Sequence, residues 1–372
     1  MRIRTRTRGK KRVYAIAALV LLSLGLLALT QCQGLPRNVA DCSSTPTPPT
    51  NISVVPPAAE PPPRALCAFP ITINSPSDGA TVSSPAPIVA SASAPDAIYT
   101  LRLYVDGKSI LFSFTDSINQ YIWMPTGAHT VEVVAEDLAG YISTASIQLN
   151  VTTQDPGVSN VQNLPDWQSC SAQLVTGLTC AAGLGTAVSS IQAHQSSPSL
   201  DGSALKFSLG GAHPYSNELY WNPIGGGNNV SHFTLDLWFY VDTGDAPQAL
   251  EFDVNQAFGG TRWTWGTECD FNQTGKWNIW DDADNVWVPT SVPCERFPSQ
   301  SWIHLIWNFE RVGNQVHYLT LNVADSEYTI DTYYTAQSKW YQEEIDFAFQ
   351  MDGNYKQEPY DVWLDKVTLN GS

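Results

Sequence analysis

Residues 302–323 read WIHLIWNFERVGNQVHYLTLNV, and this stretch decides the fold. Ile303, Leu305, Trp307 and Phe309 recur at every second position. That period belongs to a β-strand with one face in a core. Gly313-Asn314 then supplies a hairpin turn, and alternation resumes over Val316–Val323. The same period runs through Thr234–Val241, Leu250–Val254, Ile345–Phe349 and Val362–Leu369. No stretch carries a long helical period. Many strands without helices in one unit of about 200 residues predict a two-sheet jelly roll over residues 166–372.

Working outward, residues 70–152 are also all β in pattern. Leu101–Val105 alternates into Asp106-Gly107, a strong hairpin signal. Thr130–Val134 and Ser146–Val151 flank the turn Asp137-Leu-Ala-Gly140. About seven short strands in this length suit an immunoglobulin-like sandwich. Residues 153–165 read as a short linker between the two units. Residues 35–69 are rich in Pro among Ser, Thr and Ala, a composition that favours extended geometry and buries no core. Residues 1–34 begin with seven cations in the first twelve positions, followed by VYAIAALVLLSLGLLALT over Val13–Thr30. A basic flank before an apolar run is an export signal or membrane anchor, predicted to be helical.

The formal net charge is −16, from 19 basic and 35 acidic residues. Removing the seven N-terminal cations leaves 12 basic against 35 acidic groups. A body that acidic repels phosphate backbones, which excludes nucleic acid as a partner. Setting Cys32 aside leaves Cys42, Cys67, Cys170, Cys180, Cys269 and Cys294. An even number suits an oxidising compartment. Sequence order suggests pairing of neighbours, among them Cys170–Cys180 and Cys269–Cys294, although six cysteines allow about 15 connectivities.

Three motifs resemble known families. NSPSDGATVSSP, LYVDGK and GAHTVEVVAEDLAG, all within residues 74–140, resemble the bacterial Ig-like domains of secreted surface proteins. Such modules space or present something else. LEFDVNQ, WIHLIWNFERVGNQVHYLTLNV and VWLDKVTL resemble the concanavalin A-like lectin/glucanase superfamily. Leu29-Thr30-Gln31-Cys32 is similar to a bacterial lipobox, which implies lipidation of Cys32, although Gln31 stands where the family has a small residue.

Chemistry concentrates in the second unit. Twelve of thirteen Trp lie beyond residue 165, more than a sandwich core uses. Sugar rings stack their C–H faces on aromatic rings and bond their hydroxyls to carboxylates and amides. Trp263, Trp265 and Trp280 stand near Asn278, Asp281 and Asp282 and are candidates for such stacking. Glu251, Asp253 and Asn255 share one strand face opposite Phe252 and Val254, a polar row able to floor a cleft. This row resembles the ExDxxE motif of laminarinase-type glycosidases, which implies Glu251 as nucleophile and Asp253 beside it. Asn255 and Gln256 occupy the acid/base region, so the resemblance argues against hydrolysis. Glu344, Asp346 and Gln350 form a second polar row that reaches the first only if the two strands are adjacent. Asp281-Asp-Ala-Asp284-Asn285 is a candidate calcium loop without the full spacing of a known motif, and no other cofactor is expected. His304 and His317 lie on strands joined by a hairpin, which leaves open a polysaccharide lyase. The expected protein is therefore envelope-tethered, with a glycan as partner of its jelly roll and the Ig-like unit as spacer. A hydrolase or lyase, or an adhesive surface protein without a sugar site, are the alternatives.

The full-length chain is expected to partition with membranes, and deletion of residues 1–34 to leave it soluble. Fractionation that finds the full-length chain free in the cytosol contradicts this.

Overall fold

The computed structural model describes residues 69–170, 188–210, 217–338, 343–354, 356 and 358–372. The predicted signal or anchor, most of the Pro-rich segment, and Cys32, Cys42, Cys67 and Cys180 lie outside them. Among the described residues no helix is long and apolar enough to cross a membrane.

The chain is all β. In the first unit a five-stranded sheet runs in the order Ala80–Ser84, Ile142–Gln154, Gly127–Asp137, Ile98–Val105, Lys108–Ser113. It packs on Ile71–Ser75, Ala86–Ala92 and Ser117–Ile122. Alternation makes this core: Leu101, Leu103, Val131, Val133 and Ala135 are all buried.

The second unit is a two-sheet sandwich. One sheet runs Val188–Gln195, Ala204–Gly210, Tyr360–Gly371, His232–Val241, Ser301–Val312, Gln315–Val323, Ser326–Thr335. The 302–323 hairpin forms as its alternation predicts, with Leu305, Trp307 and Phe309 buried. The facing sheet runs Asn217–Gly226, Glu344–Gly353, Pro247–Phe258, Thr267–Asp270, Lys276–Asp281, Val286–Pro293. Phe252, Trp265, Trp277, Phe347 and Phe349 meet Phe207, Phe233, Trp307 and Tyr318 between the two sheets. Cys269 and Cys294 form a disulfide with Cα atoms 5.6 Å apart. Cys170 is disulfide-bonded too, and its expected partner Cys180 lies outside the described residues.

Two features depart from a spacer on a flexible joint. Part of the expected linker is built into the second unit: Gly157–Ser159 pairs with the last strand through Thr368, Leu369 and Asn370, and Val158 and Val161 are buried. The facing sheet also continues into the first unit, where Ser117–Ile122 pairs in parallel with Asn217–Gly226 through Tyr121/Gly225 and Ile122/Gly226. Only glycine permits this approach. A Cβ on Gly225 would stand 1.7 Å from the Tyr121 carbonyl oxygen, and one on Gly226 would stand 2.1 Å from that of Ile110.

The junction also fixes which side each core takes. Ile118 and Ile122 turn into the first unit's core, while Tyr121, between them in the alternation, packs against the second unit's core. The two cores therefore lie on opposite faces of one shared sheet. The first unit's five-stranded sheet accordingly stands on the side of the second unit's outer face.

Replacing Gly225 by Val is expected to open this ladder at a cost of about 2–4 kcal/mol. The first unit should then melt separately in calorimetry. Gly210→Ala, whose Cβ would meet nothing closer than 3.5 Å, is the control expected to melt like the parent. A single unchanged transition in Gly225→Val would show that the junction does not couple the units.

Candidate functional site: an acid and tryptophan recess

Strand Pro247–Phe258 separates its residues by parity. Phe252 and Val254 enter the core, while Glu251, Asp253 and Asn255 turn outward. Gln256 turns inward, where its amide donates to the Gly227 and Val230 carbonyls and accepts from the Arg311 Nε. It therefore does not share the outward row.

Neighbouring strands extend this row in register. Glu344–Gly353 is the adjacent antiparallel strand, setting Gln350 opposite Glu251, Ala348 opposite Asp253 and Asp346 opposite Asn255. The two polar rows expected from sequence therefore do meet. Asn255 donates to the Asp346 carboxylate at 2.8 Å. Gln350 donates to the Glu251 carboxylate and to Asp352 at 3.2 Å. On the other side Glu268 stands opposite Glu251, and Asn278 donates to Glu268 at 3.0 Å.

A second line crosses the first at Asp253. Trp221 lies beside Ala348, and Gly266 stands between Asp253 and Trp280. A Cβ on Gly266 would meet the Trp280 Cβ at 2.8 Å and the Asp253 carboxylate at 3.5 Å. Trp280 is paired with Trp287, their rings edge to face at 5.1 Å. The line Trp221, Ala348, Asp253, Gly266, Trp280 places small residues on both sides of one carboxylate and aromatic rings beyond them. It spans four strand spacings, about 19 Å. Many of these outward residues are shielded: Glu251 is 6% exposed, Asp346 4% and Asn278 2%. This shielded outer face is here called the recess.

Burial governs its electrostatics. Glu251, Glu268 and Asp352 bring one oxygen each within 4.8 Å of one another. Burial first, then repulsion from Asp352, raises the Glu268 carboxyl to about 8, and the same two causes lift Glu251 well above its usual range. Asp352 is pushed up to about 7 by burial and Asp270. Burial raises Asp253 to about 7 against a 3.0 Å hydrogen bond from the Thr267 amide. Like charges this close share protons, so the recess holds carboxylic acids at neutral pH and offers O–H donors beside its acceptors. The three converging carboxylates are the one such group among the described residues able to hold a metal ion. The neighbouring amides point their NH₂ groups at the carboxylates, which partly offsets the repulsion among them and occupies oxygens that a cation needing six to eight would use.

Two expected site residues belong elsewhere. Trp263 and Trp265 do share a face, but it is the core face: they are 5% and 0% exposed, and their indoles donate to the Gly313 and Glu310 carbonyls of the opposite sheet. Register is the reason, since Val254 pairs with Trp265 and Gln256 with Trp263, both inward positions. Trp280 does turn to the outer face beside Asp253, although only 7% exposed. In the candidate calcium loop, Asp281 accepts from the Ala283 and Asp284 amides, and Asp282 turns in to the Trp280 indole. His304 bonds Asp236 at 2.7 Å, and His317 bridges Glu310 and Asp331. Both belong to the opposite sheet, so the histidine pair of a lyase does not reach the recess. Sequence reasoning missed Glu268, Asp352 and Trp221. The alternation of Thr267-Glu-Cys-Asp270, with Cys269 inward, could have found Glu268.

Residues 70–133 match the family described as bacterial Ig domain. No curated protein sequence matches the chain. Among solved structures, carbohydrate-binding modules from the β-sandwich superfamily are similar at 13% identity, covering 81% of this chain and 97% of that one, with TM-score 0.32. An alginate lyase in complex with an alginate trisaccharide is similar at 12% identity over 49% of this chain and 88% of that one, TM-score 0.34. Peanut lectin is similar at 14% identity over 50% and 99%, TM-score 0.31. At these scores the likenesses carry no argument about function.

The fold holds protons on these acids that the unfolded chain releases. Their contribution to stability is therefore fully present below the ordinary carboxylate range and is lost as pH rises through about 8, the Glu268 value. In chelator-treated protein the melting temperature should drop between weakly acidic and weakly alkaline pH, and Glu268→Gln should flatten that drop. An identical pH profile in Glu268→Gln would show that Glu268 is ordinary.

Proposed function

We propose that the protein is exported and tethered to the cell envelope, and that the recess of its jelly roll binds a neutral glycan. The observation that carries this is the crossing of two lines at Asp253: an aromatic line across the strands, Trp221 to Trp287, and the polar row Glu251, Asp253 and Asn255 along one strand, flanked by Gln350, Asp346 and Glu268. Rings and hydrogen-bonding groups alternate there as a sugar chain requires. The acidic surface and protonated recess disfavour anionic chains. Neither calcium nor another cofactor is needed for this reading.

A second reading has one specific observation behind it. Retaining glycosidases set two carboxyls about 5–5.5 Å apart, and Glu268 now supplies the carboxyl near Glu251 that the strand's own sequence lacks. Of the Glu251 and Glu268 pair, the carboxyl that keeps the shared proton would protonate the leaving group, and the other, as carboxylate, would attack the anomeric carbon.

A glycan array with the purified protein, followed by calorimetry, separates the readings. Trp221→Ala and Trp280→Ala should each weaken binding about tenfold, close to 1.4 kcal/mol. Loss of turnover in both Glu251→Gln and Glu268→Gln, with binding kept, would establish the hydrolase. Absence of binding to any neutral glycan would leave the surface-structural alternative.

A further inference from the structure

The first unit carries an aromatic cluster with no role in its own core. Tyr99 is 48% exposed and Phe114 60%. Phe114 packs edge-on against Tyr99 at 5.8 Å and against Phe112 at 4.7 Å. The Arg102 guanidinium sits 4.3 Å over the Phe112 ring. Three rings and a cation on one hairpin, Ile98–Val105 with Lys108–Ser113 and the next residue Phe114, leave apolar rings in water.

The hairpin's position gives the cluster a meaning. Its edge is fastened to the second unit at the start of strand Glu344–Gly353. The Phe112 amide donates to the Glu343 carbonyl at 3.2 Å, and the Ser109 hydroxyl donates to the Glu343 carboxylate. The Ile110 carbonyl lies against Gly226. Because the two cores take opposite faces of the shared sheet, this hairpin stands as a wall on the recess side. The next residue, Glu344, lies two positions before Asp346 on the polar row. The hairpin that carries the aromatic cluster therefore meets the second unit at the end of the polar row that Asp346 and Asn255 occupy.

We propose that Tyr99, Phe112 and Phe114, with Arg102, form a further sugar subsite on the first unit, taking the end of a chain that lies in the recess. This rests on the glycan-binding reading above. The rings supply flat faces for C–H stacking, and the Arg102 guanidinium donates to ring or hydroxyl oxygens. Ser113 and Thr115, hydrogen-bonded to each other at 2.8 Å, offer hydroxyls beside Phe114. The first unit is then part of the binding surface, and chain length becomes a specificity determinant: only an oligosaccharide long enough to leave the recess reaches the hairpin.

The test uses the full-length protein and neutral oligosaccharides, short and long, prepared from cellulose, laminarin and mannan. The double variant Tyr99→Ala/Phe114→Ala is expected to keep the parent melting temperature, since both side chains are exposed. It should bind long chains about tenfold more weakly and short chains as the parent does. Phe114→Tyr, which keeps the ring, should retain the parent preference for length. Trp280→Ala should weaken both lengths alike. If the parent shows no length preference, or the double variant loses short and long chains equally, the subsite is wrong while the recess reading stands. If the double variant changes only self-association, the cluster is an interface between copies and the proposal is overturned. If no oligosaccharide binds the parent, both readings fall together.

Discussion

The hydroxyl of Tyr318 holds the recess in shape from behind. It rises from strand Gln315–Val323 of one sheet, crosses the core, and lies 3.3, 3.1 and 3.1 Å from the carbonyl oxygens of Thr264, Gly266 and Trp280 in the other. These three carbonyls surround the point where Thr261–Trp265 ends and Thr267–Asp270 begins. Buried carbonyls without a donor cost about 1–3 kcal/mol each. The phenol's single proton serves one of these three at a time while its ring fills core volume, and burial keeps that proton in place. Gly266 then stays extended, opposite Asp253, with the Trp280 amide bonded to its carbonyl. The crossing of the aromatic and polar lines depends on that alignment. Replacing Gly266 with a larger residue would fill the gap between Asp253 and Trp280.

The second constraint is the shared sheet. A parallel pairing of two residues is short, yet it decides the relation of the two units because Gly225 and Gly226 let the backbones touch. The hydrogen bonds at Glu343 add a second attachment beside this pairing, and Gly157–Ser159 ties the connecting segment to the far sheet. The Ig-like unit is therefore joined to the second unit by more than its covalent link.

Much of this architecture was legible from period and turn chemistry. Alternation is local and survives without knowledge of partners, which is why the 302–323 hairpin and the Glu251, Asp253, Asn255 row were readable. The assignment of a face to the core is not local. Trp263 and Trp265 looked like sugar platforms because their sequence neighbours are polar, but register with Val254 and Gln256 turns them inward. Glu268 escaped notice for the same reason: its strand is four residues long, and its meaning comes from standing opposite Glu251. Cross-strand neighbours are set by the turns between strands, and a single residue more or less in those turns would exchange the two faces.

The acids of the recess are a cost to the fold. Three carboxylates within 4.8 Å, two of them buried, repel one another and lose hydration. A fold selected only for stability would replace Glu268 or Glu251 with a neutral residue of similar volume, and Gln350 in the same row shows that an amide fits there. The retained acids are instead supplied with partial remedies: the NH₂ groups of Gln350 and Asn278, and protons raised into the neutral range. Those remedies leave oxygens that both donate and accept in a shielded site. A sugar hydroxyl has the same dual character, so the pattern that weakens the empty fold is complementary to a bound polyol. Water satisfies the same groups less well, because it cannot bring the apolar ring face that Trp221 and Trp280 would cover.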